Sequence, residues 1–260
     1  MKQKRLIVIF SIFFVVVLLI VLSSTVFTLQ SVRLIFKNEN NEEIPVPERF
    51  QSLKPSTLAE GYVGQNIFFL SKKDMQKTIE KKEPFLKILG ISTAFPNRAD
   101  IYATVRVPLL EFTKDASKIV TDSDGFVFPS SSLEGGQRYV SVGGFRSDDF
   151  ATVEDGATIS WSEQGAAKFV IVKTAMHSLW EHEYNYNEIA LKFTSVSVDE
   201  NTLSIHTLTG AVLVAKYADR DLKSKINALL SVYMQSDDNK GPGITITVTG
   251  KDSSPIVSGK

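Results

Sequence analysis

Apolar and polar positions divide this chain into one unbroken hydrophobic block and a long patterned remainder. Residues 6–29 read LIVIFSIFFVVVLLIVLSSTVFTL and contain no charged side chain. About twenty apolar residues cross the hydrocarbon core of a bilayer, so the block predicts an N-terminal transmembrane helix. Lys2, Lys4 and Arg5 precede it. By the positive-inside rule, residues 1–5 are then a cytoplasmic tail and residues 30–260 lie on the extracytoplasmic side, a single-pass type II arrangement in the plasma membrane. A cleaved signal peptide has a shorter apolar region and a small-residue cleavage site; this run is too long, and Ser23-Ser24-Thr25 is a poor site. A buried core helix would leave a polar face, and none interrupts the run. Ser11 and Thr25 fall on similar faces, but Val15, Leu18 and Leu22 fill the turns between them. That pattern favours a plain anchor over a helix that seeks a partner.

The remainder changes period several times. Residues 32–36 (VRLIF) form a short β-type run. A polar, Asn-rich loop follows, and Pro45, Pro47 and Pro55 interrupt regular structure until a short helix that Ser56 caps. Whether 44–54 adds a strand stays open. Ser71 followed by Asp74 resembles a capping box with Asp in the acidic place, and Leu70, Met75 and Ile79 recur at helical spacing. Pro84 ends that helix by disfavouring the α conformation at Glu83. Strands are expected at 86–94 and 100–112, with Phe95-Pro96-Asn97-Arg98 as the turn between them. In the second, Ile101, Ala103, Val105 and Val107 alternate with Tyr102, Thr104 and Arg106. Residues 119–128 read as a hairpin whose tight turn needs the positive φ that Gly125 supplies. Glycine- and serine-rich turns fill 130–144. A helix is expected over 162–180, strands near 189–198, 202–207 and 211–217, and an amphipathic helix over 221–234. The chain finishes with the run 244–249 (ITITVT), a turn at 250–254, and Pro255-Ile256-Val257.

Composition narrows the function classes. The chain holds 29 Lys and Arg against 29 Asp and Glu, so no strong field draws nucleic acid or anionic lipid. It holds no cysteine, which removes thiol nucleophiles, disulfides and thiolate metal sites. An exported domain without disulfides rests on its hydrophobic core, which suits a bacterial envelope protein.

Candidate chemistry thins on inspection. His177, Glu181, His182 and Glu183 cluster near one helix end, but zinc needs three or four convergent ligands. No H-E-x-x-H spacing occurs, and the remaining histidine, His206, falls on an expected strand. Asp122 and Asp124 resemble the start of a calcium loop, yet the twelfth position holds Leu133 instead of a bidentate acid. Residues 134–144 are glycine-containing but lack the Lys-Ser/Thr and the strand-to-helix setting of a phosphate cradle. No Gly-x-Ser-x-Gly elbow or Ser-x-x-Lys appears. The reading is no enzyme, no cofactor, no metal and no small-molecule substrate.

Several stretches carry a family likeness. GQNIFFLSKKDMQKTIEKKEPFLKILGI (64–91) has a Gly-x-Asn-aromatic step into a helix and a strand started by proline. FPNRADIYATVRVP (95–108) has a Pro-Asn turn and an alternating strand ending in Pro, and VTDSDGFVF (120–128) is a short Asp-x-Asp-Gly hairpin. Lys225 with Ile226, Leu229 and Leu230 resembles a Lys-initiated helix, and 244–248 a late strand after it. Together these resemble the bacterial cell-division family FtsQ/DivIB. The resemblance implies an α+β chain: a transmembrane helix at 6–29, a POTRA domain of β-α-α-β-β order at 30–114, and a β-rich domain with flanking helices at 115–260. Two departures stand out. Val105 occupies the acidic place of an acidic-basic pair, with Arg106 after it, and Thr245 and Thr247 replace the charges of an Ile-Asp-Leu-Arg strand. Partner contacts made through those charges do not carry over.

The implied function is a non-catalytic scaffold of the divisome at the septum. It would bind other single-span division proteins, FtsL-like and FtsB/DivIC-like, partly by strand addition at the last strands. The residues put forward are Ile244, Thr245, Ile246, Thr247, Val248, Pro255, Ile256 and Val257. As residues alone, 244–249 is equally an ordinary strand with one buried face, and which late strand forms the sheet edge stays open. Two other classes compete. A membrane-anchored enzyme acting on cell-wall polymer would need paired acids or an activated hydroxyl. A POTRA module of protein export would bring tandem repeats and a barrel-length tail.

Overall fold

The computed structural model describes residues 10–18, 21, 26–38, 40–182, 185–250 and 253–259. The backbone is helical at 10–18 (α1), with every side chain of that stretch exposed. The expected transmembrane helix is corrected here: among the described residues no helix is long and apolar enough to cross a membrane. The end of the apolar run is not helical at all. Thr28 bridges to Asn66, Leu29 N–H donates to Gln65 O (2.8 Å), and Leu29 is buried. Residues 1–9, 19–20 and 22–25 of the expected tail and span lie outside the described residues, as does 251–252 of the expected last turn.

The α+β chain divides into two units, Met1–Arg106 and Val107–Lys260. In the first, β1 (Ser31–Lys37), β2 (Glu43–Ile44), α2 (Pro55–Leu58), α3 (Lys72–Lys82), β3 (Leu86–Ala94) and β4 (Arg98–Val105) follow in order. The sheet runs β2-β1-β4-β3, with β1 parallel to β4 and β3–β4 an antiparallel hairpin. The open stretch 44–54 supplies the end of β2 and a 3-10 turn, Glu48–Phe50, whose Phe50 stacks on Phe36 with centroids 5.3 Å apart. Ser71 sits at the cap of α3 with its hydroxyl on Asp74 (2.5 Å), and Met75 and Ile79 are fully buried.

The alternation expected through Arg106 breaks at its end. Ile101 and Ala103 are buried, but Val105 is exposed and Arg106 is buried. Arg106 N–H donates to Phe85 O (2.8 Å), and its guanidinium meets Glu80 at 3.1 Å. The single strand expected over 100–112 is two: Pro108 has no N–H for a ladder, and a new strand starts at Leu110.

That strand, β5 (Leu110–Lys114), belongs to the second unit, whose extent begins ahead of the expected boundary after 114. There β6 (Ser117–Thr121), β7 (Val140–Gly143), β10 (Phe193–Asp199), β11 (Thr202–Thr207), β12 (Val212–Ala215), β13 (Thr245–Val248) and β14 (Ile256–Ser258) join β5 in one mixed sheet. Its order is β14-β13-β12-β11-β10-β7-β5-β6. A small ribbon, β8 (Phe150–Thr152) with β9 (Ser160–Trp161), stands apart from it in pairing. Helices α4 (Glu163–Glu181) and α6 (Leu222–Gln235) bury Phe169, Val172, Met176, Ile226, Leu229 and Leu230 in the core shared with the sheet. The hairpin turn holds Gly125 at φ 83°, and Asp122 accepts at one carboxylate oxygen from the N–H groups of Asp124 (2.8 Å) and Phe126 (2.9 Å).

Two expectations in this unit are revised. The strand expected near 189–198 starts only at Phe193. Ahead of it Asn185 caps α5 (Tyr186–Lys192), accepting from Glu188 N–H at 3.0 Å. In the glycine-rich stretch 130–144, Val140 and Val142 are buried in β7, whose parallel partners β5 and β10 lie on either side.

Candidate functional site

The residues put forward as partner-binding fall on the last two strands, and the structure separates their roles. β13 is interior: it runs parallel to β12 with Val212 opposite Thr245 and Ala215 opposite Val248, and antiparallel to β14 with Ile246 opposite Val257. Ile246 and Val248 point into the core and are fully buried, while Thr245 and Thr247 are half-buried on the other face. The alternation of the run ITITVT is that of a covered strand with one dry face. Of the residues named, Ile256 and Val257 alone lie on the edge strand. Pro255 leads into it and Ile244 leads into β13.

The direction of the backbone groups follows from the hydrogen bonds. Val212 N–H donates to Ile244 O (2.9 Å) and Lys216 N–H to Val248 O (3.0 Å). Residues 244, 246 and 248 therefore turn their backbone groups toward β12. Successive residues of a strand alternate, so Thr245 and Thr247 face β14. Their register partners, Ser258 and Ile256, turn inward to meet them. Val257 is left with its N–H and C=O pointing away from the sheet. β14 pairs with β13 alone among the described residues.

Side chains around this rim are apolar and open: Ile256 is 66% exposed and Val257 44%. Neither β13 nor β14 carries a charge, so backbone hydrogen bonding is what the rim offers. Pro255 lacks an N–H and blunts the upstream end. Gly259, at φ 101°, packs so closely on Gly243 that an added Cβ would lie 2.0 Å from its carbonyl oxygen. Ser258 and Gly259 escaped the sequence reading, although the glycine marked a close backbone approach. The edge is supported from behind by α6. Lys225 is buried, and its ammonium donates to the carbonyls of Lys216 (2.9 Å) and Tyr217 (2.7 Å) just beyond β12.

The other sheet rims are partly covered, bulged or short. Beside β6, Thr121 bridges to Val127 and Phe128 N–H donates to Val120 O (2.9 Å). β2 is only two residues long and begins with Glu43. On the rim of β3, Ile88 N–H donates to Glu80 Oε1 (2.9 Å) and Ile88 O accepts from Gln76 Nε2 (3.1 Å), and the ladder is bulged between Ile88 and Gly90.

The histidine–acid cluster is spent on helix contacts. Glu181 takes Lys223 at 2.6 Å and His177 at 3.5 Å, and the Lys223 hydrogen bond holds its carboxyl below the ordinary range. His182 Nε2 meets Asn227 Oδ1 at 3.0 Å, and Glu183 lies outside the described residues. Among the described residues no group of three or more His, Cys, Asp or Glu side chains is placed to hold a metal ion. No protein-family model matches the chain, and no curated protein matches it either.

Proposed function

We propose that this chain is a non-catalytic scaffold of the FtsQ/DivIB kind, which captures an extended segment of a partner as a further strand on β14. One observation carries the reading: Val257 presents a backbone donor and acceptor outward, on an exposed and uncharged edge. Strand addition takes its affinity from such main-chain groups and its specificity from alternate side chains. Ile256 and Val257 lie on opposite faces, so an incoming strand meets one apolar side chain on each.

The order of the first unit, which is strand–helix–helix–strand–strand once the two-residue β2 is set aside, with β1 parallel to β4, supports a POTRA-type module. The partners in this reading are single-span division proteins, FtsL-like and FtsB/DivIC-like. The chain works at the cell membrane of the division septum, with residues 30–260 on the extracytoplasmic side and the apolar run that starts at Leu6 as its attachment to the bilayer. Attachment raises the effective concentration of partners held on the same surface.

Pull-down of FtsL-like and FtsB/DivIC-like partners by the full chain, against a Val257→Pro variant, tests the proposal. The N–H removed faces solvent, a position where strands tolerate proline, so the variant stays folded. Capture is expected to drop at least tenfold, about 1.4 kcal/mol, roughly the net worth of one lost hydrogen bond. Undiminished capture by a folded variant overturns it.

A further inference from the structure

The first unit holds four aromatic side chains in an arrangement that core packing does not explain. Phe68 is 58% exposed, Phe69 86% and Phe95 68%. The rings of Phe27, Phe68 and Phe95 form a triangle with centroids 5.3, 5.6 and 6.0 Å apart. They come from three separate stretches of chain, which the backbone locks together. Ile67 N–H donates to Phe27 O (2.8 Å), Gly64 N–H to Leu29 O (2.8 Å) and Leu29 N–H to Gln65 O (2.8 Å). Asn66 shapes the loop tip by accepting from Phe68 N–H at its side chain (3.0 Å) and from Phe69 N–H at its carbonyl (3.0 Å). Ile67 and Leu70, on either side of the two phenylalanines, are buried. The loop is thus pinned from within while its aromatic pair is held out.

In water this is unfavourable. Full burial of a phenylalanine contributes about 1.5–3 kcal/mol, and this loop forgoes much of that twice. A second medium offsets the cost, and the chain itself indicates which. Phe27 belongs to the apolar run 6–29, so one corner of the triangle is continuous in sequence with the most hydrophobic segment of the protein. Lys72 and Lys73, both exposed, follow the loop directly, with the exposed Asp74 after them. Aromatic rings beside lysines are the composition of the headgroup level of a bilayer, where rings sit among the upper acyl chains and ammonium groups reach the phosphates.

We infer that Phe27, Phe68, Phe69 and Phe95 form a membrane-facing patch that seats the first unit on the lipid headgroup–acyl boundary. The inference rests on the bilayer attachment proposed above and adds a second contact with the same surface. It gives the first unit a preferred face toward the lipid, which attachment at one point alone would not.

The chain's lack of cysteine makes the test clean. Phe69→Cys, Phe95→Cys and, as a control, Lys82→Cys at the far end of α3 would each be labelled with a polarity-sensitive fluorophore in the full chain. The labelled proteins would be reconstituted into phosphatidylethanolamine–phosphatidylglycerol vesicles that contain a lipid with a nitroxide close to its headgroup. Labels at 69 and 95 are expected to shift to the blue, to be quenched by the nitroxide lipid, and to be several-fold less quenched by aqueous iodide than the label at 82. Chain recovered on vesicles with label 69 as open to iodide as label 82 overturns the inference and leaves the attachment standing. So does a label shielded from iodide but untouched by the nitroxide, which would mean that a second copy covers the patch. Chain that fails to co-sediment with vesicles overturns attachment and patch together. Circular dichroism of each labelled protein checks that the fold is retained.

Discussion

The rims of β3 and β14 make an instructive pair, because both end a sheet and only on β3 do helix side chains take outward backbone groups. β3 is nine residues long, the more dangerous template by length. Its outward groups at Ile88 are taken by Glu80 and Gln76 of α3, and a bulge at Leu89 bends the strand beyond them. β14 is three residues long, and Val257 stays open. A long edge is interrupted by side-chain hydrogen bonds and a register shift, while a short one between Pro255 and Gly259 stays open. The difference separates an edge that must not pair from one available to do so.

The comparison can be broken from inside the sheet first. Ile246→Pro removes an N–H that faces β12, not the outer rim, and empties a fully buried site. A loss of at least 3 kcal/mol is expected in chemical unfolding of the second unit. Survival of that variant with native stability would contradict the interior placement of β13. Next comes the edge that α3 covers at Ile88. Glu80→Ala strips the carboxylate from a buried guanidinium at Arg106 and uncovers Ile88 N–H. It should cost about 3 kcal/mol and raise concentration-dependent association, visible by light scattering, as β3 becomes available for pairing. Val257→Pro sharpens the contrast from the open side. Its thermal midpoint should change by the equivalent of less than about 1 kcal/mol, because the N–H lost has no ladder partner in the sheet, while partner capture falls. Lys72→Ala, on the exposed face of α3, sets the floor: stability should move by no more than about 0.5 kcal/mol.

Much of the local structure was legible in the residues. The strands 86–94 and 202–207 occur over the expected spans, and Ser162 caps α4 by accepting from Gly165 N–H (3.2 Å). These are short-range decisions: β-branched alternation, a capping hydroxyl, a proline. Other elements hid because their signals were non-local. The valines of β7 sit among glycines and become a strand only where β5 and β10 supply parallel partners on both sides. Arg106 followed the alternation of its strand in sequence, yet it turned inward because Glu80, on a helix far earlier in the chain, offered it a carboxylate.

Taken alone, the sequence determined that 244–249 and 256–257 would be extended, uncharged and β-branched, since side-chain shape and alternation decide that within a few residues. It also determined that residues 6–29 would be apolar throughout. Only the tertiary structure decided that Thr28 and Leu29 join the first unit's backbone pairing, that Ile246 lies inside the sheet, and that Val257 faces out. A strand's two rims are satisfied or left open by segments distant in the chain, and alternation along one strand records which face is dry but never which neighbours lie beside it.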